Sequence, residues 1–291
     1  MHLQEKLDFK KFIILAEMEP PKGTDVTALV TNATAVKGRV DAFVVPEMSN
    51  AVMKMSSLGG ALLLQSIGLE TVMQVCCRDR NRLALQADLL AAQALRIPNV
   101  MVTHGEDISY GDHHRARAVN DLGLLELLTA IQTLQSGRDL AGIELKGAPH
   151  FLVGAAVNIA KTDGEMDSEL LELDKKMEAG AQFFITSPIF DLAVLDQFRK
   201  RLGNRQARII PTVLLLKSVG MARYIDRHLD HVYIPASLID RIQRSPVVVR
   251  ECILIAAELI AALKQEGYCG VQISTLGWED RLPTVLAAAR V

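Results

Sequence analysis

Phe12-Ile13-Ile14-Leu15-Ala16-Glu17-Met18-Glu19-Pro20-Pro21 is the stretch whose reading decides the fold. Its apolar run reads as a strand covered on both faces, as parallel strands are. The run ends in two carboxylates and then Pro-Pro, which can neither continue a ladder nor open a helix at once. Enzymes built on α/β barrels keep their chemistry at the C-terminal ends of the strands, so Glu17 is a candidate site residue. A solvated strand-end acid is the competing reading.

Outward from this stretch the pattern repeats. Further strands read at 41–46, 71–77, 99–103, 151–158, 183–186, 208–215 and 270–274. Helices read at 26–37, 51–67, 81–95, 122–134, 168–179, 192–202, 217–227, 246–266 and 278–290, with a short inserted helix at 237–244. Met53, Met55, Leu58, Leu62 and Leu63 in the second of these helices read as core, and Asp121 reads as the cap of the fourth. Strand-then-helix units without a linker point to one α/β domain over 1–291, a (β/α)8 TIM barrel. A doubly wound open sheet competes, but no G-x-G-x-x-G follows the first strand.

Composition narrows the class. The 291 residues are 49% hydrophobic and 23% charged, enough for a large core, and the net charge of −2 gives no basic field for nucleic acid. The N-terminus has no apolar segment of the signal-peptide kind, and no apolar run is long enough to span a membrane. A soluble cytoplasmic protein is the expectation. Cys76, Cys77, Cys252 and Cys269 show neither C-x-x-C nor Cys/His spacing, and read as buried reduced thiols rather than metal or redox centres. No iron–sulfur ligand spacing appears.

The strand ends carry Glu17, Glu19, Glu47, Arg78, Asp79, His104, Glu106, Asp107, Asn158, Ser187, Lys217 and Thr275, a ring of mixed charge rich in candidate acids. No lysine ends the sixth strand, which disfavours Schiff-base chemistry, and no Gly-Gly or Gly-Ser pair follows the last two strands to grip a phosphate. The loop at 108–119 is long enough to be functional, and its His113-His114 pair reads as a solvated or cofactor-contacting segment before a metal site. Arg78, Arg80 and Arg82 form a basic cluster with two readings: surface ion pairs, or grip on a phosphate or carboxylate.

Taken in order, these residues resemble the methylenetetrahydrofolate reductase family over most of the chain. Glu17-Met18-Glu19-Pro20-Pro21 resembles its Glu-Phe-x-Pro-Pro, and Thr103-His104-Gly105-Glu106 its Arg-Gly-Asp segment. Lys176-Met177-Glu178-Ala179-Gly180-Ala181 is similar to Lys-x-x-Ala-Gly-Ala, and Thr186-Ser187-Pro188-Ile189-Phe190-Asp191 to Thr-Gln-x-x-Phe-Asp. Met55-Ser56-Ser57 and the segment from Cys77 to Arg82 resemble the short reductases of acetogenic anaerobes. Glu106 stands for the family's aspartate, Pro46 for a flavin-bonding threonine, His104 for an arginine, and Ser187 for the glutamine that holds the pterin.

The resemblance implies a flavin enzyme, with FAD rather than FMN, that reduces 5,10-methylenetetrahydrofolate to 5-methyltetrahydrofolate. It implies Glu17 as the general acid that opens the aminal, with Glu17 and Ser187 contacting the folate substrate. It places the flavin against Gln74, His104, Gly105, Glu106, Ala118, Ala155, Val157 and Lys176, with Glu106 tuning its potential, and requires no metal. It further implies an iron–sulfur redox partner subunit as electron source, and an oligomer or hetero-complex. Two other readings stay open: a pterin-binding barrel methyltransferase acting with a corrinoid protein, and a non-catalytic barrel subunit of a redox complex.

Overall fold

The computed structural model describes residues 2–9, 11–159 and 162–291. Eight strands, β1 (Ile13–Glu17), β2 (Ala42–Val45), β3 (Thr71–Cys76), β4 (Asn99–Thr103), β5 (Leu152–Val157), β6 (Phe183–Pro188), β7 (Ile209–Leu214) and β8 (Gly270–Ser274), close in sequence order into a barrel. Every neighbouring pair is parallel, including β1 with β8, where Ile13 lies opposite Gly270 and Leu15 opposite Gln272. The TIM-barrel reading is therefore borne out.

Alternation along the strands builds two apolar layers. Ile13, Leu15, Ala42, Val44, Val72, Met101, Leu152, Phe183, Ile185 and Ile210 fill the barrel. The intervening residues, such as Ile14, Phe43, Met73, Val102, Ala155 and Phe184, pack outward in the core shared with the helices. Large and small residues are matched inside: a Cβ on Gly154 would lie 2.3 Å from the Phe183 ring, which occupies that room. The helices are α1 (Leu3–Asp8), α2 (Thr27–Ala35), α3 (Ser57–Ser66), α4 (Arg82–Ala94), α5 (Leu124–Gln135), α6 (Asp163–Glu178), α7 (Leu192–Leu202), α8 (Val219–His228), α9 (Ala236–Arg244), α10 (Val248–Gln265) and α11 (Leu282–Ala289). Among the described residues none is long and apolar enough to cross a membrane.

The six-residue α1 is too short to show a period, and sequence reading misses it. It plugs the N-terminal end of the barrel, with Leu3 and Leu7 buried in the interior cluster. Its anchors all precede strands: Leu3 N donates to Glu70, Lys6 pairs with Asp41, and Arg208 pairs with Asp8.

Several boundaries differ from the sequence reading for local reasons. α6 starts at Asp163 and not at 168, because Thr162 caps it, its hydroxyl accepting from Glu165 N. The helix expected from Ala51 begins at Ser57, because Met48, Asn50 and Ala51 all have positive φ and Ser56 is the residue whose hydroxyl caps the helix, accepting from Gly59 N. Met53 consequently lies outside the core, 44% exposed. Asp121 does not cap α5; it accepts from the backbone and guanidinium of Arg82, and Gly123 holds the cap position. The last helix starts at Leu282, after a 3-10 turn at Glu279–Arg281, with Pro283 in its first turn, where a missing N–H costs nothing.

The segment between β2 and α3 is strapped to the one between β4 and α5. Asp112 accepts from Met53 N at 3.0 Å and from His113 at 2.8 Å, and pairs with Lys22. A Cβ on Gly111 would fall 2.0 Å from the carbonyl oxygen of Ala51, so only glycine lets the segments touch. Gly111→Ala is expected to part them at a cost of about 1 kcal/mol, since both are surface loops free to separate. Faster amide exchange at Met53, with the barrel strands unchanged, is the observation that checks it.

Candidate active site

The chemistry gathers at the C-terminal mouth, opposite α1. Glu17 ends β1 on the barrel-facing side, where β8 offers the alternating polar residues Gln272 and Ser274. Ser274 Oγ donates to Glu17 Oε1 at 2.8 Å, while Gln272 Nε2 approaches Oε2 at only 3.4 Å. Burial pushes the Glu17 carboxyl up to about 7; the Ser274 hydrogen bond opposes this, and repulsion from Glu19, Glu279 and Glu106 adds to it. A carboxyl balanced between its two forms near neutrality suits proton transfer.

Near the barrel mouth, Glu19, Lys217 and Thr275 of the strand-end ring are joined by residues that sequence reading did not assign to the site: Lys54, Glu279, Trp278, Gln272 and Ser274. Glu19 pairs with Lys54 from the strap. Burial raises the Glu279 carboxyl, and Glu19 raises it further. Lys217 lies over the Trp278 ring at 5.0 Å and donates to Leu276 O. Gln272 and Ser274 were visible in principle, as polar residues at period two in a strand that is otherwise apolar. Gln272 Oε1 and Thr275 Oγ1 are buried there without hydrogen-bond partners.

Across the mouth, two cavities adjoin along a shared wall of His104 and Gly123. One, of about 470 Å³, is lined by Cys77, Arg78, Gly105, Glu106, Ala118 and Leu122. The other, of about 420 Å³, is lined by Leu124, Leu125, Asn158, Glu169 and Lys176. Lys176 Nζ donates to Ala156 O at 2.9 Å, and burial lowers its pKa, as it does that of His104. Gly105 has φ +80°, and a Cβ there would lie 2.4 Å from Cys76 Sγ, so the exit of β4 lies flush against β3.

The structure thus brings together His104, Gly105, Glu106, Ala118 and Lys176. Ala155 and Val157 belong to the helix-side core, at 0% and 1% exposure, leaving only their backbone to offer a ligand. Gln74 Oε1 accepts from Glu47 N at 3.3 Å. The donor set fits a flavin: apolar leucines for a ring system, a cation at the end of α6, and a half-exposed carboxylate at Glu106.

Ser187 occupies a third side. A register shift between Ile185 and Pro188 displaces it, and its hydroxyl accepts from Ile159 N at 3.4 Å and donates to His231 O at 3.3 Å. It sits beside a cavity of about 450 Å³ lined by Pro188, Phe190, Asp191, His231 and Tyr233.

The basic cluster resolves toward scaffold. Arg78, buried, binds Asp79 and the carbonyls of Glu106 and Met48; Arg80 binds Glu47 and Asp88; Arg82 binds Asp121. All three guanidiniums are engaged by the protein's own carboxylates. His113 faces Asp112, and among the described residues no group of three or more His, Cys, Asp or Glu is placed to hold a metal ion.

Comparison with known proteins adds to this geometry. The sequence model of the family described as methylenetetrahydrofolate reductase matches residues 2–290. "Methylenetetrahydrofolate reductase 2" of Schizosaccharomyces pombe is 23% identical over 198 residues, 62% of this chain but 28% of that protein. The chain therefore spans little more than a quarter of that relative. Among solved structures, an uncharacterized protein from Clostridium thermocellum that binds two copies of 5-methyl-5,6,7,8-tetrahydrofolic acid shares the fold, with TM-score 0.67 and 13% identity over 99% of this chain and 98% of that one. EDTA monooxygenase from Chelativorans sp. BNC1 is more distant, with TM-score 0.54 and 10% identity over 96% and 93%.

Proposed function

The chain belongs to the methylenetetrahydrofolate reductase family, and from that premise we propose that it reduces 5,10-methylenetetrahydrofolate to 5-methyltetrahydrofolate with the aid of a bound flavin. The observation that carries this reading is Glu17, a carboxyl held at about 7 at the mouth of the barrel. The folate bound by the Clostridium thermocellum protein of the same fold supports a folate ligand.

Methylenetetrahydrofolate is an aminal, and its ring opens when N10 is protonated as the bond from the methylene carbon to N10 breaks. The electron pair of that bond stays on N10, and the carbon becomes an iminium bonded to N5 of the pterin. Glu17 supplies the proton. Ser274 donates to Oε1, which leaves the weakly contacted Oε2 to carry the proton and present it. Once the proton has gone, the same Ser274 hydrogen bond stabilises the carboxylate. Reduced flavin, when bound, supplies the hydride that the methylene carbon accepts. Lys176, His104 and the leucines of the two adjoining cavities would hold it, with Glu106 placing negative charge beside it.

FAD is the proposed form of the flavin, carried by the resemblance. An iron–sulfur redox partner, an oligomeric or hetero-complex working form and a cytoplasmic location belong to the same proposal, carried by the resemblance.

The test is to load the purified chain with flavin, reduce it anaerobically and mix it with methylenetetrahydrofolate. Reoxidation with stoichiometric methyltetrahydrofolate is expected; a flavin that stays reduced would overturn the assignment. Lys176→Met is expected to weaken flavin binding by roughly tenfold, the loss of one charge-assisted contact of about 1.5 kcal/mol. Fluorescence titration of the apoprotein with FAD checks it.

A further inference from the structure

The acid role of Glu17 leaves its charged neighbours to be explained. Glu19 lies two residues beyond Glu17 and pairs with Lys54, the side chains 15% and 20% exposed. Glu279, from the turn after β8, feels both charges: Glu19 raises its carboxyl and Lys54 lowers it. The groups around Glu17 are thus Glu19 from its own strand exit, Ser274 and Gln272 from β8, Glu279 from the following turn, and Glu106 from the β4 exit. Lys54 is the cation paired with these acids, Lys217 being engaged by Leu276 O and the Trp278 ring, and the backbone of Lys54 is pinned on both sides. Met53 N bonds Asp112 at 3.0 Å, and Met55 N bonds the carbonyl of Pro21 at 2.9 Å.

Resting on the assignment of Glu17 as the general acid, we propose that Lys54 is a positioning residue that sets the proton affinity of Glu17, by neutralising Glu19 and countering the charge of Glu279. Two isolated carboxylates beside an acid make its ionisation harder; an ammonium between them relieves that. The two anchors make the arrangement more than a surface ion pair. One leads to Pro21, a few residues past the end of the Glu17 strand, and the other to Asp112, in the segment that also carries Gly105, Glu106 and Ala118. The cofactor-side loop therefore reaches the acid through one hydrogen bond and one ion pair.

The experiment is a carbon-13 titration of the full chain with carboxyl-labelled glutamate, Glu17 being assigned by the signal lost in Glu17→Gln. The wild-type midpoint is expected near 7. Lys54→Met should raise it by roughly one pH unit, the lower end of what a nearby charge does. Lys54→Gln should do the same should the methionine variant fold poorly, and Lys54→Arg should restore the wild-type value. In a Glu19→Gln background the Lys54→Met shift should shrink, and the alkaline limb of the kcat/KM profile should move in parallel with the midpoint. An unchanged midpoint in both neutral variants, or an equal shift in Lys54→Arg, overturns the role of Lys54. A wild-type midpoint near 4.5 would instead overturn the reading of Glu17 itself, so the two failures are distinguishable.

Discussion

Glu17→Gln is expected to lower folate reduction by roughly 10²–10⁴-fold, the usual worth of a positioned general acid, while flavin binding and fold persist. Glutamine keeps the size of the side chain and can still accept from Ser274, but it has no proton to give to N10. Stopped-flow reoxidation of the reduced flavin by methylenetetrahydrofolate measures the loss, and reoxidation at the wild-type rate would remove Glu17 from the mechanism. The same variant has a signature in stability that needs no substrate. Below pH 4.5 the carboxyl is protonated in both the folded and the unfolded chain, so it contributes no difference. Between 4.5 and about 7 the unfolded chain gives up its proton while the fold retains it, so stability falls as pH rises across that window. Above 7 both forms are ionised and the deficit is complete, about 3–4 kcal/mol. Glu17→Gln should therefore melt above the wild type at pH 8 and match it at pH 4.

Gly270→Ala is expected to be the most damaging single methyl in the barrel. An added Cβ would lie 2.3 Å from Ile13 Cγ1 and 2.6 Å from Ile13 O. The side-chain contact could be relieved by a rotamer change, but Ile13 is fully buried in the interior, and its carbonyl belongs to the ladder that closes β1 on β8. Relief requires the closing seam to open, a cost of about 3 kcal/mol or somewhat more, lowering Tm by roughly 5–10 °C. Gly220→Ala is the control: it lies in α8 with nothing nearer than Ser218 Oγ at 3.7 Å, and should be neutral or slightly stabilising. A Gly270→Ala chain melting with the control would show that the seam yields.

How much the sequence disclosed depends on where each signal originates. The strands were legible because parallel strands are covered on both faces and leave apolar runs, and Glu17 was legible because a carboxylate ends such a run. Ser274 and Gln272 left a fainter mark, two polar residues alternating within β8, which acquires meaning only once the barrel closes and places β8 beside β1. Lys54 left none. Its place depends on three residues with positive φ, none of them glycine, and on a contact between Gly111 and Ala51 far along the chain. Nothing in a helical period announces either, which is also why a helix was expected to start at Ala51. The basic cluster was ambiguous in a different way: three arginines in five residues fit surface ion pairs or a ligand grip, and only the fold, with a carboxylate against each, decides for the ion pairs.

The plug formed by α1 bears on how long Glu17 can hold its proton. Beneath the acid, from Leu15 and Val44 down to Leu3 and Leu7, the interior is packed with apolar side chains. Apolar side chains offer a proton no relay, so exchange of the Glu17 proton with water is expected at the mouth. Under the proposed mechanism a ligand seated there would close that route, so the charge state Glu17 has on binding would be the one it keeps until the proton is transferred. On that proposal the barrel would behave as a capacitor with a single terminal: loaded in the open state, isolated when the mouth is covered, and discharged into the substrate.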